Sequence, residues 1–284
     1  MSEPLLLNNV ELHNVSEGIN ARTHRLVGTG KYRDLDPFVI VDHFWVEENG
    51  GFPDHPHRGF ELLTFCLSGV LRHQDSTGVS TELHPGDIQC LHTGRGLVHS
   101  ILPLSHQAEA LVIWVNVPCS LRMTAPSCTL LPAACQSTLS INTGCRVTVL
   151  VGTFLDVKSI ICTVAETVIL EVKLEAQCSA EVPVPRGMCG LIYVLQGEVW
   201  LENVCLRQPQ AGCFNTNQRP LCLGSLTGCR LVLVLGKPVG EPIIQQGPFV
   251  VSQLEEAMTC FRDFNLERNG FEGCGSWKSE SAYF

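Results

Sequence analysis

The amino-acid sequence predicts an all-β protein of two similar antiparallel barrels in tandem, with one helix at the C-terminal end. Three features point there: short apolar segments broken by glycine or proline, an internal repeat, and a single stretch of helical periodicity. The apolar segments are rich in Val, Ile, Leu and Phe, as in PFVIVDHFWV, LLTFCLSGVL, ALVIWVNVP, CRVTVLVG, TVILEVKL, GLIYVLQGEVWL and CRLVLVLG. Runs of that length and composition form strands packed into sheets or barrels. At 284 residues and 45% hydrophobic, the chain has room for one large domain or two ordinary ones, each with a buried core.

The repeat fixes the number of barrels. Thr64-Phe65-Cys66-Leu67-Ser68-Gly69-Val70 in the first half resembles Ile192-Tyr193-Val194-Leu195-Gln196-Gly197-Glu198 in the second. Each copy is followed by a strand and a second glycine turn, His84-Pro85-Gly86-Asp87 in one and Gln210-Ala211-Gly212 in the other. A fold that repeats its unit in this way is expected to place one barrel over residues 1–130 and the other, with the helix, over 131–284. The join falls in VPCSLRMTAPSCTLLPAACQS. The helix itself is expected in SQLEEAMTCFRDF, where Ser252 and Glu255 have capping-box spacing. Leu254, Ala257, Met258 and Phe261 then recur at helical intervals, and Asn269-Gly270 stops the pattern.

Charge and composition exclude several functions. A net charge of −9 with no basic run argues against a nucleic-acid surface, which needs clustered Lys and Arg to displace counterions. No apolar run approaches the roughly eighteen residues of a membrane span. MSEPLLLNNVELHN lacks a basic region followed by an apolar one, so no secretory signal is expected there. The fifteen cysteines are odd in number, scattered, and never spaced C-x-x-C. They are read as reduced thiols of an intracellular protein, several of them small core residues such as Cys66, and not as a zinc site.

The histidines carry the chemistry. All ten lie between His13 and His106, so any histidine site belongs to the first barrel. In GGFPDHPHRGFE, His55 and His57 are two apart, which on a strand puts both imidazoles on one face. His99 follows the glycine-rich turn TGRG, which is expected to return a second strand across the same barrel mouth. Three neutral imidazoles suit Fe(II), Cu(II), Ni(II) or Zn(II) and leave positions open for water or substrate. Glu61 lies four residues after His57, and His92 is held as a reserve ligand. Arg58, Arg95 and Lys31 offer a scattered basic face to a protein partner, although such residues are ordinarily solvated charges.

The order H-x-H-x3-E, then P-G-D before a glycine-flanked His, resembles the two signature motifs of the cupin superfamily. More closely, LDPFVIVDHF, GGFPDHPHRGFE, HPGDIQCLHTGRGLVHS and LVIWVN resemble the N-terminal domain of the pirin family. The resemblance continues through EPIIQQGPFVV, the helix and NGFEGCGSWKS. It implies a bicupin, two tandem antiparallel barrels of double-stranded β-helix type. It also implies one Fe(II) per chain in the N-terminal barrel, held by three histidines that map onto His55, His57 and His99, and no metal in the C-terminal barrel. The family's glutamate ligand belongs two residues after the third histidine, where this chain has Ile101.

That substitution leaves three outcomes: metal held by three histidines alone, which is favoured; Glu61 serving as fourth ligand and as catalytic base; or a metal-poor paralogue acting only as a protein-binding scaffold. Two functions are implied by the resemblance. One is quercetin 2,3-dioxygenase activity on a flavonol, weakened here by Ile101. The other is an iron-dependent transcriptional coregulator that meets a Rel/NF-κB-type factor. With either, a monomer of nucleus and cytoplasm is expected, with no direct nucleic-acid or membrane contact.

Overall fold

The computed structural model describes residues 6–30, 32–33, 35–215 and 220–280. Two compact units divide the chain, each built round a ten-stranded antiparallel sheet. One unit holds His13–Ala134 together with Val239–Phe284; the other holds Met1–Leu12 together with Cys135–Pro238. Among the described residues, no helix is long and apolar enough to cross a membrane.

The first unit runs, strand beside strand, Ser127–Leu131, Ile88–His92, Phe60–Ser68, Gln107–Asn116, Phe38–His57, Leu97–Pro103, Leu71–Asp75 and Ser80–Leu83, and Ile19–Val27 also pairs with Phe38–His57. Alternation along these strands sends Ile40, Phe44, Phe60, Leu62, Leu97 and Ile101 into a common core. The second unit has an aliphatic interior that includes Val147, Leu170, Val172, Ile192, Leu231 and Leu233.

The repeat read from sequence is a topological one. Strand Phe60–Ser68 lies between Ile88–His92 and Gln107–Asn116, and strand Cys189–Leu201 lies between Ala211–Asn215 and Cys229–Gly236. At matching positions Gly69 and Gly197 both have positive φ, +69° and +76°, and a Cβ at either would strike a backbone carbonyl, Gln107 O or Gly228 O. The fifteen cysteines are free thiols. Burial pushes those of Cys66, Cys128 and Cys229 up to about 12, so they act as packing groups rather than nucleophiles.

Two expectations need correction. The break between units, at Ala134/Cys135, lies within the predicted join, but the chain ends cross over. Strand Leu6–Val10 pairs with Ala211–Asn215 of the second unit, and the helix, Leu254–Asn265, belongs to the first. The helix is held to the first unit by a buried ion pair. Arg58, 4% exposed, donates from Nη1 to Asp263 at 3.0 Å, from Nε to the Arg95 carbonyl at 2.6 Å and from Nη2 to the Asn269 carbonyl at 2.8 Å. Its guanidinium also lies 4.6 Å over the Phe271 ring. Arg58 is therefore an internal anchor and not part of a contact face; Arg95 is exposed, and Lys31 lies outside the described residues.

The same anchor sets the rotation of the helix. Ala257, Cys260 and Asp263 face inward at three-residue intervals, and Leu254 and Met258, expected on the buried stripe, are 57% and 66% exposed. Its first turn differs from the predicted capping box. Gln253 is the N-cap and makes no side-chain cap, the Ser252 N–H donates to Glu256 at 3.0 Å, and the Ser252 hydroxyl accepts from Arg122 at 2.7 Å.

Removing one member of a buried charge pair leaves the other poorly compensated. Arg58→Leu is expected to lower stability by about 3 kcal/mol. Chemical denaturation would read the loss, and hydrogen exchange should quicken first in Leu254–Asn265.

Candidate metal centre

The site begins at the end of strand Phe38–His57. His55 and His57 project from the same face, as the two-residue period requires, and strand Leu97–Pro103 pairs antiparallel with the register His55↔His99 and His57↔Leu97. A third imidazole thus comes in from directly across the ladder. The ligand atoms of the three histidines all lie within 4.8 Å of one another, with His55 Nε2 and His57 Nε2 3.0 Å apart. Among the described residues this is the group of side chains able to share one ion.

Hydrogen bonding on the far side of each ring decides which nitrogen faces the centre. His55 Nδ1 lies 2.7 Å from the Pro53 carbonyl and His57 Nδ1 lies 3.1 Å from the Pro248 carbonyl. Carbonyl oxygens only accept, so both Nδ1 atoms carry the proton and both Nε2 atoms present lone pairs. Two lone pairs facing each other across 3.0 Å repel unless a cation lies between them. His99 Nε2 is buried and has no hydrogen-bond partner. Its Nδ1 lies 3.3 Å from His73 Nδ1, and His73 Nε2 lies 3.1 Å from Asp75. An Asp75–His73–His99 chain in which each ring donates toward the carboxylate again leaves the inner Nε2 unprotonated. The donor set therefore fits a borderline divalent metal.

Electrostatics keeps these three rings neutral. Burial lowers the proton affinity of His55, and takes His57 and His99 well below the ordinary imidazole value. Neighbouring imidazoles push His57 and His99 further in the same direction. Burial works against the charge of Asp75, but hydrogen bonds from His73 and Thr77 outweigh it and hold that carboxyl below its usual range.

Ile101 stands two residues beyond His99 on the same strand, so it faces the same way as that ligand. It is 5% exposed, sits opposite Phe52 in the ladder and packs in the barrel core. The position that a carboxylate would use is filled by hydrocarbon. Glu61 does not replace it. Phe60 and Leu62 point into the core, so Glu61 between them points to the other face of its strand, where His92 Nδ1 approaches it at 3.4 Å. His92 in turn bonds through Nε2 to the Thr124 hydroxyl at 2.8 Å. Neither Glu61, the alternative fourth ligand, nor the reserve histidine His92 joins the three imidazoles.

Above the histidines opens a cavity of about 370 Å³, walled by Phe44, Phe52, Leu62, Ile101 and Trp114 among others. It contains polar groups that sequence reasoning missed: Glu17, Thr23 and Asp42. Burial pushes the Asp42 carboxyl up to about 6 against the pull of the neighbouring Arg25 guanidinium. His73 and Asp75 were also missed, although their two-residue spacing on strand Leu71–Asp75 is the same signal that marked His55 and His57.

The depressed imidazoles dictate a pH dependence. Unfolded, each histidine takes a proton near pH 6.5. Folded, these three resist protonation, so the unfolded chain binds more protons and stability falls as pH drops through that value. The metal-free chain should melt at a lower temperature at pH 5.5 than at pH 7.5. In His57→Gln the drop should be smaller, because one buried imidazole has been removed from both sides of the comparison.

Two family models match the chain, Pirin over residues 20–115 and the Pirin C-terminal cupin domain over residues 169–270. Pirin of Mus musculus is 35% identical over 272 residues, 93% of this chain and 93% of its own. The fold is also that of quercetin 2,3-dioxygenase from Acinetobacter baumannii, with a TM-score of 0.86 at 24% identity over 93% of this chain and 97% of that one. A third likeness is to bacterial pirin YhhW from Escherichia coli in complex with nickel(II), with a TM-score of 0.66 at 16% identity over 80% of this chain and 95% of that one. Two cupin barrels, a cluster of three histidines in the first of them, and matches across both halves have one meaning: the chain belongs to the pirin family.

Proposed function

We propose that this chain holds one divalent metal ion, iron in the cell, through His55, His57 and His99, and that its cavity takes a flat aromatic ligand of the flavonol class, whose ring it opens slowly as a dioxygenase. One observation carries the reading: three unprotonated Nε2 atoms converge at the floor of a cavity of the size that small ligands occupy. Support comes from the structural neighbours, one described as a quercetin 2,3-dioxygenase and one as a nickel(II) complex.

A bound divalent ion would supply Lewis-acid polarisation of an oxygen donor. The chain's own residues do the rest. His55, His57 and His99 are kept neutral and aimed by Pro53, Pro248 and His73. Trp114 is stacked on Phe60 at 4.1 Å and lies nearly perpendicular to the His57 ring at 5.0 Å, and with Phe44, Phe52 and Ile101 it offers an aromatic ligand flat apolar walls that exclude water. Glu61 faces away, so it cannot receive the phenolic proton; the carboxylates that line the cavity are Glu17 and Asp42. Among the described residues no carboxylate joins the cluster of ligand atoms, and slow turnover follows from that.

Metal analysis of the purified chain tests the first half of the reading. About one equivalent of iron or nickel per chain is expected, with His57→Ala retaining far less. A chain that binds no divalent metal would sink the proposal. Ile101→Glu tests the second half. It returns an anionic ligand and a base to the strand position facing the site, and oxygen uptake with quercetin should rise roughly tenfold or more at full metal occupancy. The native donors are all neutral, which favours Fe(II) over Fe(III). The Fe(III) EPR signal in air should accordingly be weaker in the native chain than in Ile101→Glu.

A further inference from the structure

The polar end of the cavity has more hydrogen-bond acceptors than the protein uses. Arg25 and Asp42 are directly paired across adjacent strands, and Thr23 and Phe44 are the next such pair on the same face. Arg25 donates from Nε to one Asp42 oxygen at 2.8 Å, and from Nη2 to the other at 2.6 Å and to Glu17 at 2.9 Å. One guanidinium therefore serves two carboxylates. An ionised carboxylate has about four acceptor sites. The Arg25 bonds take two sites on Asp42 and one on Glu17, so unfilled acceptors remain on groups that line the cavity.

Thr23 is a separate observation. It is 2% exposed, it lines the same cavity, and its hydroxyl has no partner. A buried hydroxyl left unpaired is costly, and native structures rarely keep one without a use. Asp42 is likewise buried at 6% exposure, whereas the Glu17 side chain is about half exposed at the cavity's edge. Glu17, Thr23 and Asp42 line the same cavity as His55, His57 and His99, so the polar end and the histidine end lie within reach of one ligand.

We infer that Thr23, Asp42 and Glu17 form a subsite for a hydrogen-bond donor, and that it takes the hydroxylated ring of an aromatic ligand whose other end lies against the three histidines. This rests on the proposed ligand class and adds which members of the class are preferred. A phenol suits the site better than an ammonium group. It donates to the carboxylates and the threonine without placing a second positive charge in a cavity meant for a divalent ion, and its ring matches the apolar walls. The carboxylate absent at Ile101 sharpens the preference, because the carboxylates that line this cavity are Glu17 and Asp42.

Calorimetric titration of the full chain, nickel-loaded and metal-free, with quercetin and galangin tests the inference. Galangin is the flavonol whose pendant ring lacks hydroxyl groups. Each hydrogen bond to a charged acceptor is worth about tenfold in affinity, so the nickel-loaded chain should prefer quercetin by tenfold or more. In Thr23→Val and in Glu17→Gln the quercetin-to-galangin ratio should fall toward one, and Thr23→Ser should keep it. Thr23→Val is safe for folding, because it removes a hydroxyl that has no partner, and its melting temperature should stay level or rise. Asp42→Asn disturbs the buried pair with Arg25 and is read only where its melt is intact.

The outcomes separate. Equal affinity for the two flavonols in the native chain, or a preference that survives both Thr23→Val and Glu17→Gln, overturns the subsite and leaves the metal-and-flavonol reading standing. If neither flavonol binds with or without nickel, the subsite falls together with the reading beneath it.

Discussion

Two imidazole lone pairs facing each other 3.0 Å apart are the constraint on which this site depends. Such a contact is unfavourable by itself, and a fold keeps it only by holding both rings from behind. The barrel does so with the Pro53 and Pro248 carbonyls, which fix the Nδ1 protons and hence turn both Nε2 atoms inward. His73, itself tied to Asp75, does the same for His99. Each far-side bond removes the alternative tautomer, so the three rings have one arrangement, and it is complementary to a cation.

That arrangement is assembled from distant parts of the chain. Pro248 lies 191 residues from His57, in the segment that returns to the first unit after the second barrel is complete. Its position depends on backbone contacts that start beside the ligand: the Val250 N–H donates to the Arg58 carbonyl at 3.0 Å. Gly59 follows with φ of +93°, where a Cβ would strike the Val250 carbonyl. Arg58 then clamps the helix through Asp263. The residue after His57 is thus the anchor of the C-terminal segment, and that segment in turn orients the His57 ring.

Much of this was legible in the residues themselves, and the misses have physical causes. Strand periodicity alone puts His55 and His57 on one face, and the repeat alone counts the barrels. Glu61, weighed as an alternative ligand, is turned away because H-x3-E spacing ignores the break at Arg58-Gly59; the positive φ of Gly59 resets the alternation, and Phe60 and Leu62 take the inward face. His73 and Asp75 matter only through the register His73↔Ile101 and Asp75↔His99, which no local pattern reveals. The helix has a periodic face that includes Leu254 and Met258, but the pairing of Asp263 with Arg58 turns a different face inward. Side-chain pattern identifies elements well, whereas the choice among faces is made by charges far away in sequence.

The exchange of a carboxylate for Ile101 changes where charge resides in the cavity. Three neutral imidazoles leave a divalent ion with its full charge, and Ile101 lowers the local polarity, which strengthens every remaining electrostatic interaction. Glu17, Asp42 and Arg25 together contribute one net negative charge when both carboxyls are ionised, and they do so at a distance from the ligand atoms. Acid in that location does not narrow the ion's open coordination positions, as a directly bound glutamate does. It acts through the field and through whatever ligand lies between. With a divalent ion bound at the histidines, the cavity would be polarised end to end, cationic there and acceptor-rich at Thr23 and Asp42, with aromatic walls between. A ligand that donates at one end and offers an oxygen lone pair at the other matches both ends at once.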